Sequence, residues 1–290
     1  MGRLISTFLF SLLLATGYSQ VNECPAKCKE LIGVYVLEQG QEMHDEINES
    51  SGLEITSDGN LWTHGDSATG AELSKITPEG KLLAKLELKD LKNDDWEDLA
   101  HDNKGNLYIG DFGNNGGDRQ NLRIVKVRES DPKAAHQVIH FTFSDQKKFP
   151  AAEGSELFDC EAFFWHNGQL YLFNKNSTCQ DYVRVYRLPD LPGKHEAKLI
   201  DSLQINSKIS SADISTDGKT VALLGYEEIY LLQLNGRNNF TNGEVNCLKI
   251  PGLGKSEGIV FLNSTDMMVC NEEGVIFKIT KLKKGEKKKL

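Results

Sequence analysis

The chain has 290 residues, 39% of them hydrophobic, which is enough to bury a full core and about right for one large all-β domain. Its formal charge of −9 argues against nucleic acid or an anionic membrane as a partner and is compatible with cation binding.

In chain order, residues 3–19 read as a cleaved secretory signal. Arg3 is the positive end, Leu4 to Ala15 the apolar stretch, and Gly17-Tyr18-Ser19 a small-residue cleavage site before Gln20. The apolar run is short for a membrane anchor, and no later segment is apolar enough to span a bilayer. A secreted, extracellular and monomeric protein is expected. Residues 20–50 form an N-terminal segment whose run Leu31-Ile-Gly-Val-Tyr-Val-Leu37 is rich in β-formers but belongs to no repeat.

From residue 51 to 280 the chain repeats with a period of about 50 residues, the signature of a β-propeller. Each repeat opens on an anchor and a short apolar strand: Ser51-Gly-Leu-Glu-Ile, Glu97-Asp-Leu-Ala-His, Glu161-Ala-Phe-Phe-Trp, Ser210-Ser-Ala-Asp-Ile and Glu257-Gly-Ile-Val-Phe. A turn and second strand follow, as in Asp58-Gly-Asn-Leu-Trp62 and Lys104-Gly-Asn-Leu-Tyr108. Leu53 and Ile55, Phe163 and Trp165, and Ile259 and Phe261 alternate with period two along the first strands. The same alternation selects Ser210 over Ser211 as the fourth anchor. Five anchors predict an all-β, five-bladed propeller; six blades with one degenerate blade is the alternative. The last repeat has strands only at Ile259–Leu262, Met267–Cys270 and Val275–Thr280, so the N-terminal run is expected to supply its outer strand and close the ring. Residues 281–290 are a solvated basic tail.

The six cysteines all follow the signal, and an even count in a secreted chain predicts disulfides. Cys160 with Cys179 is expected from their place on one face of one blade, leaving Cys24 with Cys28 and Cys247 with Cys270; free buried thiols are the alternative. Sequons begin at Asn48, Asn176, Asn239 and Asn263, as in a secreted glycoprotein.

Strands one and two of a blade run down and back, so the anchors share a face with the loops between strands two and three. Those loops carry His64-Gly-Asp66, Asp111 to Asn115 with Arg119, Asn174-Lys175-Asn176, Tyr226-Glu227 and Asn271-Glu272-Glu273. Ser51, Glu97, Glu161, Ser210 and Glu257 are expected to meet on the axis around one cation. Three converging carboxylates repel one another unless a cation intervenes. Calcium suits an all-oxygen donor set, magnesium demands tighter geometry, and zinc prefers His or Cys. The rival reading is that these side chains cap strands or hydrogen-bond neighbouring backbone.

The order Ser, Glu, Glu, Ser, Glu resembles the central calcium site of the calcium-activated nucleotidases, secreted apyrases with five-bladed propellers. Trp96-Glu97-Asp-Leu-Ala, Leu107-Tyr-Ile-Gly and Ser256-Glu257-Gly-Ile also resemble that family. In Asp66-Ser-Ala-Thr-Gly70, however, Ser67 and Ala68 stand where the family has a second Asp and an Arg, which puts nucleotide hydrolysis in doubt. Asp95-Trp-Glu-Asp98, Gly110-Asp-Phe-Gly-Asn-Asn115, Asp159-Cys-Glu-Ala162, Ala212-Asp213-Ile-Ser-Thr-Asp-Gly218 and Glu257-Gly258 resemble the SdiA-regulated and phytase-like propellers more closely. That resemblance implies the fold and no settled activity. Three functions follow: a calcium-pinned platform for an extracellular ligand or small molecule; a calcium-dependent hydrolase of phosphoesters, nucleotides or lactones; or an acidic matrix component. For the hydrolase, Asp66, Asp111, Glu153 or Asp159 would act as base and Arg119 or Lys175 would stabilise negative charge.

Overall fold

The computed structural model describes residues 28–47, 49–67, 69–151, 158–175, 182–234 and 244–283. Among them there is no helix, and hence none long and apolar enough to cross a membrane. The N-terminal segment forms three short strands, β1 (Lys29–Glu30), β2 (Tyr35–Leu37) and β3 (Gln41–Glu42).

The remaining strands fall into antiparallel groups, each joined by short connections. The first is β4 (Ser50–Ile55), β5 (Leu61–Gly65), β6 (Glu72–Ile76) and β7 (Leu82–Glu87). The second is β8 (Trp96–His101), β9 (Asn106–Asp111), β10 (Arg123–Arg128) and β11 (Gln137–Phe143). The third is β12 (Cys160–His166), β13 (Gln169–Asn174), β14 (Val183–Pro189) and β15 (Gly193–Leu203). The fourth is β16 (Ile209–Ile214), β17 (Thr220–Gly225), β18 (Glu228–Gln233) and β19 (Val245–Lys249). The last is β20 (Ser256–Phe261), β21 (Met267–Asn271) and β22 (Val275–Lys281).

On the outer edge of the last group, β2 pairs antiparallel with β22, Tyr35 opposite Lys281, and β3 pairs with the start of the same strand. β11 and β15 run parallel to each other, which joins the second and third groups into one eight-stranded sheet. The first strands pack in a circuit, β4 on β8, β8 on β12, β12 on β16, β16 on β20 and β20 back on β4. This is the architecture of a β-propeller. Gly59, Gly105, Gly168 and Gly218 occupy the turns after the first strands at φ 78°, 75°, 77° and 68°, where a side chain would be strained.

The core lies between neighbouring groups. Phe112, Phe141, Phe163 and Tyr186 fill the space between the second and third, and Trp62, Trp96 and Leu107 that between the first and second. Every first strand carries one register slip near its start. The residues left out of the pairing are Gly52, Glu97, Glu161, Ser210 and Glu257. Such a bulge bends the strand and re-aims a side chain. In the first group the position equivalent to the acidic anchors is therefore Gly52, and Ser51 stands one residue ahead of it.

The disulfide expectations need correction. β1 lies parallel to β19, so Cys28 reaches Cys247 across 219 residues of sequence, with Cα atoms 5.7 Å apart. That bond removes both Cys24–Cys28 and Cys247–Cys270. Cys160 and Cys270 are buried free thiols, so the pairing of Cys160 with Cys179 falls as well. Cys24 and Cys179 lie outside the described residues. Outside them too are the expected signal, the end of the basic tail, and the sequon residues Asn48, Asn176 and Asn239. Asn263 is exposed in the turn after β20, where its side chain accepts hydrogen bonds from the Thr265 and Asp266 amides.

Candidate functional site: the acidic mouth of the channel

The first strand of each group is a sheet edge, and its inward amides need partners other than a neighbouring strand. Asp98 supplies several of them. Its carboxylate accepts the Phe163 amide of β12 at 3.1 Å, the Ala212 amide of β16 at 3.2 Å, the Ser211 hydroxyl at 2.9 Å and its neighbour Leu99 at 2.9 Å. Ser211 then accepts the Ile259 amide of β20 at 3.1 Å, and Asp213 accepts the Phe261 amide at 2.7 Å. Asp98 is fully buried, and burial pushes its carboxyl well above the usual range despite these donors. Ser210, the residue just before Ser211, does not reach this network: its hydroxyl donates to the Ser256 carbonyl at 2.7 Å. Ser51 likewise donates to the Glu97 carbonyl, at 2.9 Å.

Above Asp98, the bulges of β8, β12 and β20 bring Glu97, Glu161 and Glu257 to one mouth, exposed by only 7%, 4% and 7%. Burial raises all three carboxyls, and their charges add to the effect. Glu161, Asp95 and Asp66 raise Glu97; Asp159 and Glu257 raise Glu161; Glu272 helps push Glu257 up to about 7. Their counter-charges differ. Lys175 Nζ lies 2.6 Å from Glu161 and 4.0 Å from Asp159, and those acids hold the lysine charged against its burial. Lys255 Nζ lies 3.4 Å from Glu257 and also pairs with Glu272, while the Tyr226 hydroxyl donates to Glu257 at 3.4 Å. Among the described residues the Glu97 carboxylate has no hydrogen-bond or ion-pair partner. It faces Asp66 and Asp95, and one oxygen from each of the three lies within 4.8 Å of the others.

The candidate bases and electrophiles are differently disposed. Asp111 is fully buried, with one oxygen on Arg119 at 2.9 Å and the other on Arg123 at 2.8 Å. Arg119 also donates to the Gly113 carbonyl at 2.6 Å, so its guanidinium fastens its own loop. Asp159 is buried and accepts the Asn114 amide at 2.7 Å. Asp66 is half-buried and lies at the mouth. Glu153 lies outside the described residues. Sequence reasoning named neither Asp98 nor Asp95 as a site residue, although Asp95-Trp-Glu-Asp98 stood out as a motif; acids flanking an anchor on both sides were the available signal.

The opposite end of the channel opens into a cavity of about 630 Å³ lined by Glu54, His101, Trp165, His166, Asp213 and Phe261, among others. Burial raises Glu54 and Asp213 there, Asp213 to about 7.

No protein-family model matches this chain, and no curated protein does. Solved structures similar to it include an aldose sugar dehydrogenase in PQQ-bound form from Streptomyces coelicolor, 10% identical, with a TM-score of 0.49 over 84% of this chain and 97% of that one. Another is the Pan2 WD40 domain of Neurospora crassa, 8% identical, with a TM-score of 0.47 over 89% and 100%. A third is a catalytically inactive virginiamycin B lyase from Staphylococcus aureus with quinupristin, 12% identical, with a TM-score of 0.46 over 86% and 100%. These likenesses are too distant to bear on activity, and the propeller architecture rests on the strand topology.

Proposed function

We propose that the chain is a secreted, calcium-binding, five-bladed β-propeller that presents its loop face as a platform for an extracellular ligand or small molecule. The observation that carries this reading is the convergence of Glu97, Glu161 and Glu257, buried side by side and each made less acidic by burial and by its acidic neighbours. A hard divalent cation relieves such a cluster, and calcium accepts carboxylate and carbonyl oxygens in flexible numbers. Five blades are supported by the circuit of first strands, in which β20 returns directly to β4, with β2 completing the last blade. Secretion is supported by the Cys28–Cys247 bond, which belongs in an oxidising compartment.

A platform is favoured over a hydrolase because Asp111 and Arg119 are spent on each other and on their own loop. A base must reach the substrate proton, and Asp111 has both oxygens occupied. The resemblance to the SdiA-regulated and phytase-like propellers fits the platform, since it implies a scaffold without a settled activity.

The test is thermal unfolding of the mature protein in EDTA and in millimolar calcium. A site present only in the folded state stabilises by ~2.7 kcal/mol at a hundred times its Kd. The expected result is a calcium-dependent rise in Tm. An unchanged Tm, with no metal found by elemental analysis of the same sample, would overturn the calcium reading.

A further inference from the structure

We propose that the cation at this mouth is held off the axis, by Asp66, Asp95 and Glu97, and that Lys175 serves as the built-in counter-ion of the remaining acids. This rests on the calcium reading above and names the ligands within it.

Three observations lead there. First, charge balance at the mouth is uneven. Lys175 lies between Glu161 and Asp159, and Lys255 between Glu257 and Glu272, whereas among the described residues the ion-pair contact to Asp66, Asp95 and Glu97 is the edge of Arg119, 4.0 Å from Asp95, with Lys175 acting on Glu97 only beyond ion-pair distance. An ion on the axis would have to compete with the Lys175 ammonium for Glu161; an ion beside Glu97 would not. Second, Glu97 is more than nine-tenths buried, and its carboxylate meets no donor among the described residues. A buried carboxylate in that state is costly unless something positive joins it. Its oxygens and those of Asp66 and Asp95 lie close enough together to share one ion. Third, the backbone closes over the two inner carboxylates. A Cβ on Gly113 would stand 1.9 Å from Glu97 Oε1 and 2.4 Å from Asp95 Oδ2. Only glycine lets the loop sit there, and Arg119 holds that loop down through the Gly113 carbonyl at 2.6 Å.

The donor set is three carboxylates with no nitrogen or sulfur, which selects a hard cation and favours calcium over zinc. Asp66 and Asp95 are half-buried and come from different groups of strands, Asp66 just after β5 and Asp95 just before β8. The ion would thus bridge the first two groups at the rim rather than plug the axis.

The experiment is calcium titration by calorimetry on the mature wild-type protein, Asp66→Asn, Glu97→Gln, Gly113→Ala, and the axial pair Glu161→Gln and Glu257→Gln. Unfolding midpoints in EDTA confirm that each variant folds. Asp66→Asn and Glu97→Gln are expected to weaken binding roughly tenfold or more, because affinity follows ligand charge. Gly113→Ala is expected to do the same without removing a charge, while Glu161→Gln leaves affinity within about threefold, because Lys175 already neutralises that acid. Binding that survives Asp66→Asn but is lost in Glu161→Gln and Glu257→Gln would return the ion to the axis, overturning this assignment and leaving the calcium reading intact. No binding by the wild-type protein would overturn both.

Discussion

Asp98 is the side chain on which the inner circuit depends most, and replacing it gives a quantitative test. In Asp98→Ala the Phe163, Ala212 and Leu99 amides and the Ser211 hydroxyl lose their acceptor. The hydroxyl can turn elsewhere, but the two amides of the facing strands stay buried, and each unsatisfied group costs about 1–3 kcal/mol, so those two alone account for a loss of about 4 kcal/mol. Against this stands the cost of burying the carboxylate itself, which raises its pKa. Asp98→Asn separates the two effects, because it removes the charge and keeps the shape. Its carbonyl oxygen still accepts on one side, while its NH₂ is turned against backbone donors on the other.

If amide satisfaction dominates, Asp98→Asn destabilises by ~2 kcal/mol or more and Asp98→Ala by about 4. The latter is a fall in Tm of roughly 8–16 °C for a domain of this size. The assay is urea unfolding followed by Trp fluorescence, with Tm from calorimetry. The double variant Asp98→Ala, Ser211→Ala should cost less than the sum of its parts, since the two side chains share a hydrogen bond. An Asp98→Asn protein as stable as wild type, or more so, would refute the reasoning: the carboxylate would then be a burden the fold tolerates, and not the tie between β8, β12 and β16.

Replacing Cys28 and Cys247 together by Ser removes a crosslink spanning 219 residues and is expected to cost about 2–4 kcal/mol. Hydrogen exchange should speed up at Tyr35–Leu37, and unchanged exchange there would show that β2 is held by pairing alone. The metal-free protein should lose stability as pH rises. Glu257 and Asp213 are both pushed up to about 7, so between roughly pH 4.5 and 7 the folded state keeps protons that the unfolded chain has released. Urea midpoints in EDTA at several pH values in that window should fall; a flat or rising profile would contradict the burial of these acids. Lys175→Met leaves Glu161 and Asp159 without their ammonium and is expected to cost about 3 kcal/mol at neutral pH. A loss below about 0.5 kcal/mol, typical of an exposed pair, would deny Lys175 its role.

Much of the fold was legible because propeller strands are short, local and periodic. Period-two alternation at Leu53 and Ile55 or Ile259 and Phe261, followed by a Gly turn, marks a first strand wherever it occurs. The spare β-run in the N-terminal segment likewise stood out, and β2 lies along β22. What was not legible is long-range and crosses between groups. The bulge is a property of pairing with the second strand, so the repeat pattern picks Ser51 where the register slips at Gly52. The path of β1 to β19 cannot be seen from either segment alone, and the nearest-neighbour pairings of Cys28 and Cys247 were therefore wrong.

The five anchors read as equivalent from the sequence because each opens a repeat. In the folded chain their surroundings separate them. The hydroxyls of Ser51 and Ser210 are spent on backbone carbonyls, Glu161 and Glu257 have lysines beside them, and among the described residues Glu97 makes no ion pair. A repeat duplicates backbone positions, but the charge at each position is set by loops that are not repeated: Lys175 follows β13, Lys255 precedes β20, and Gly113 follows β9. This is why a pattern that predicts a symmetric five-point site folds into an asymmetric one. The chemistry of the mouth is decided by which loop brings an ammonium and which brings only a glycine and two aspartates.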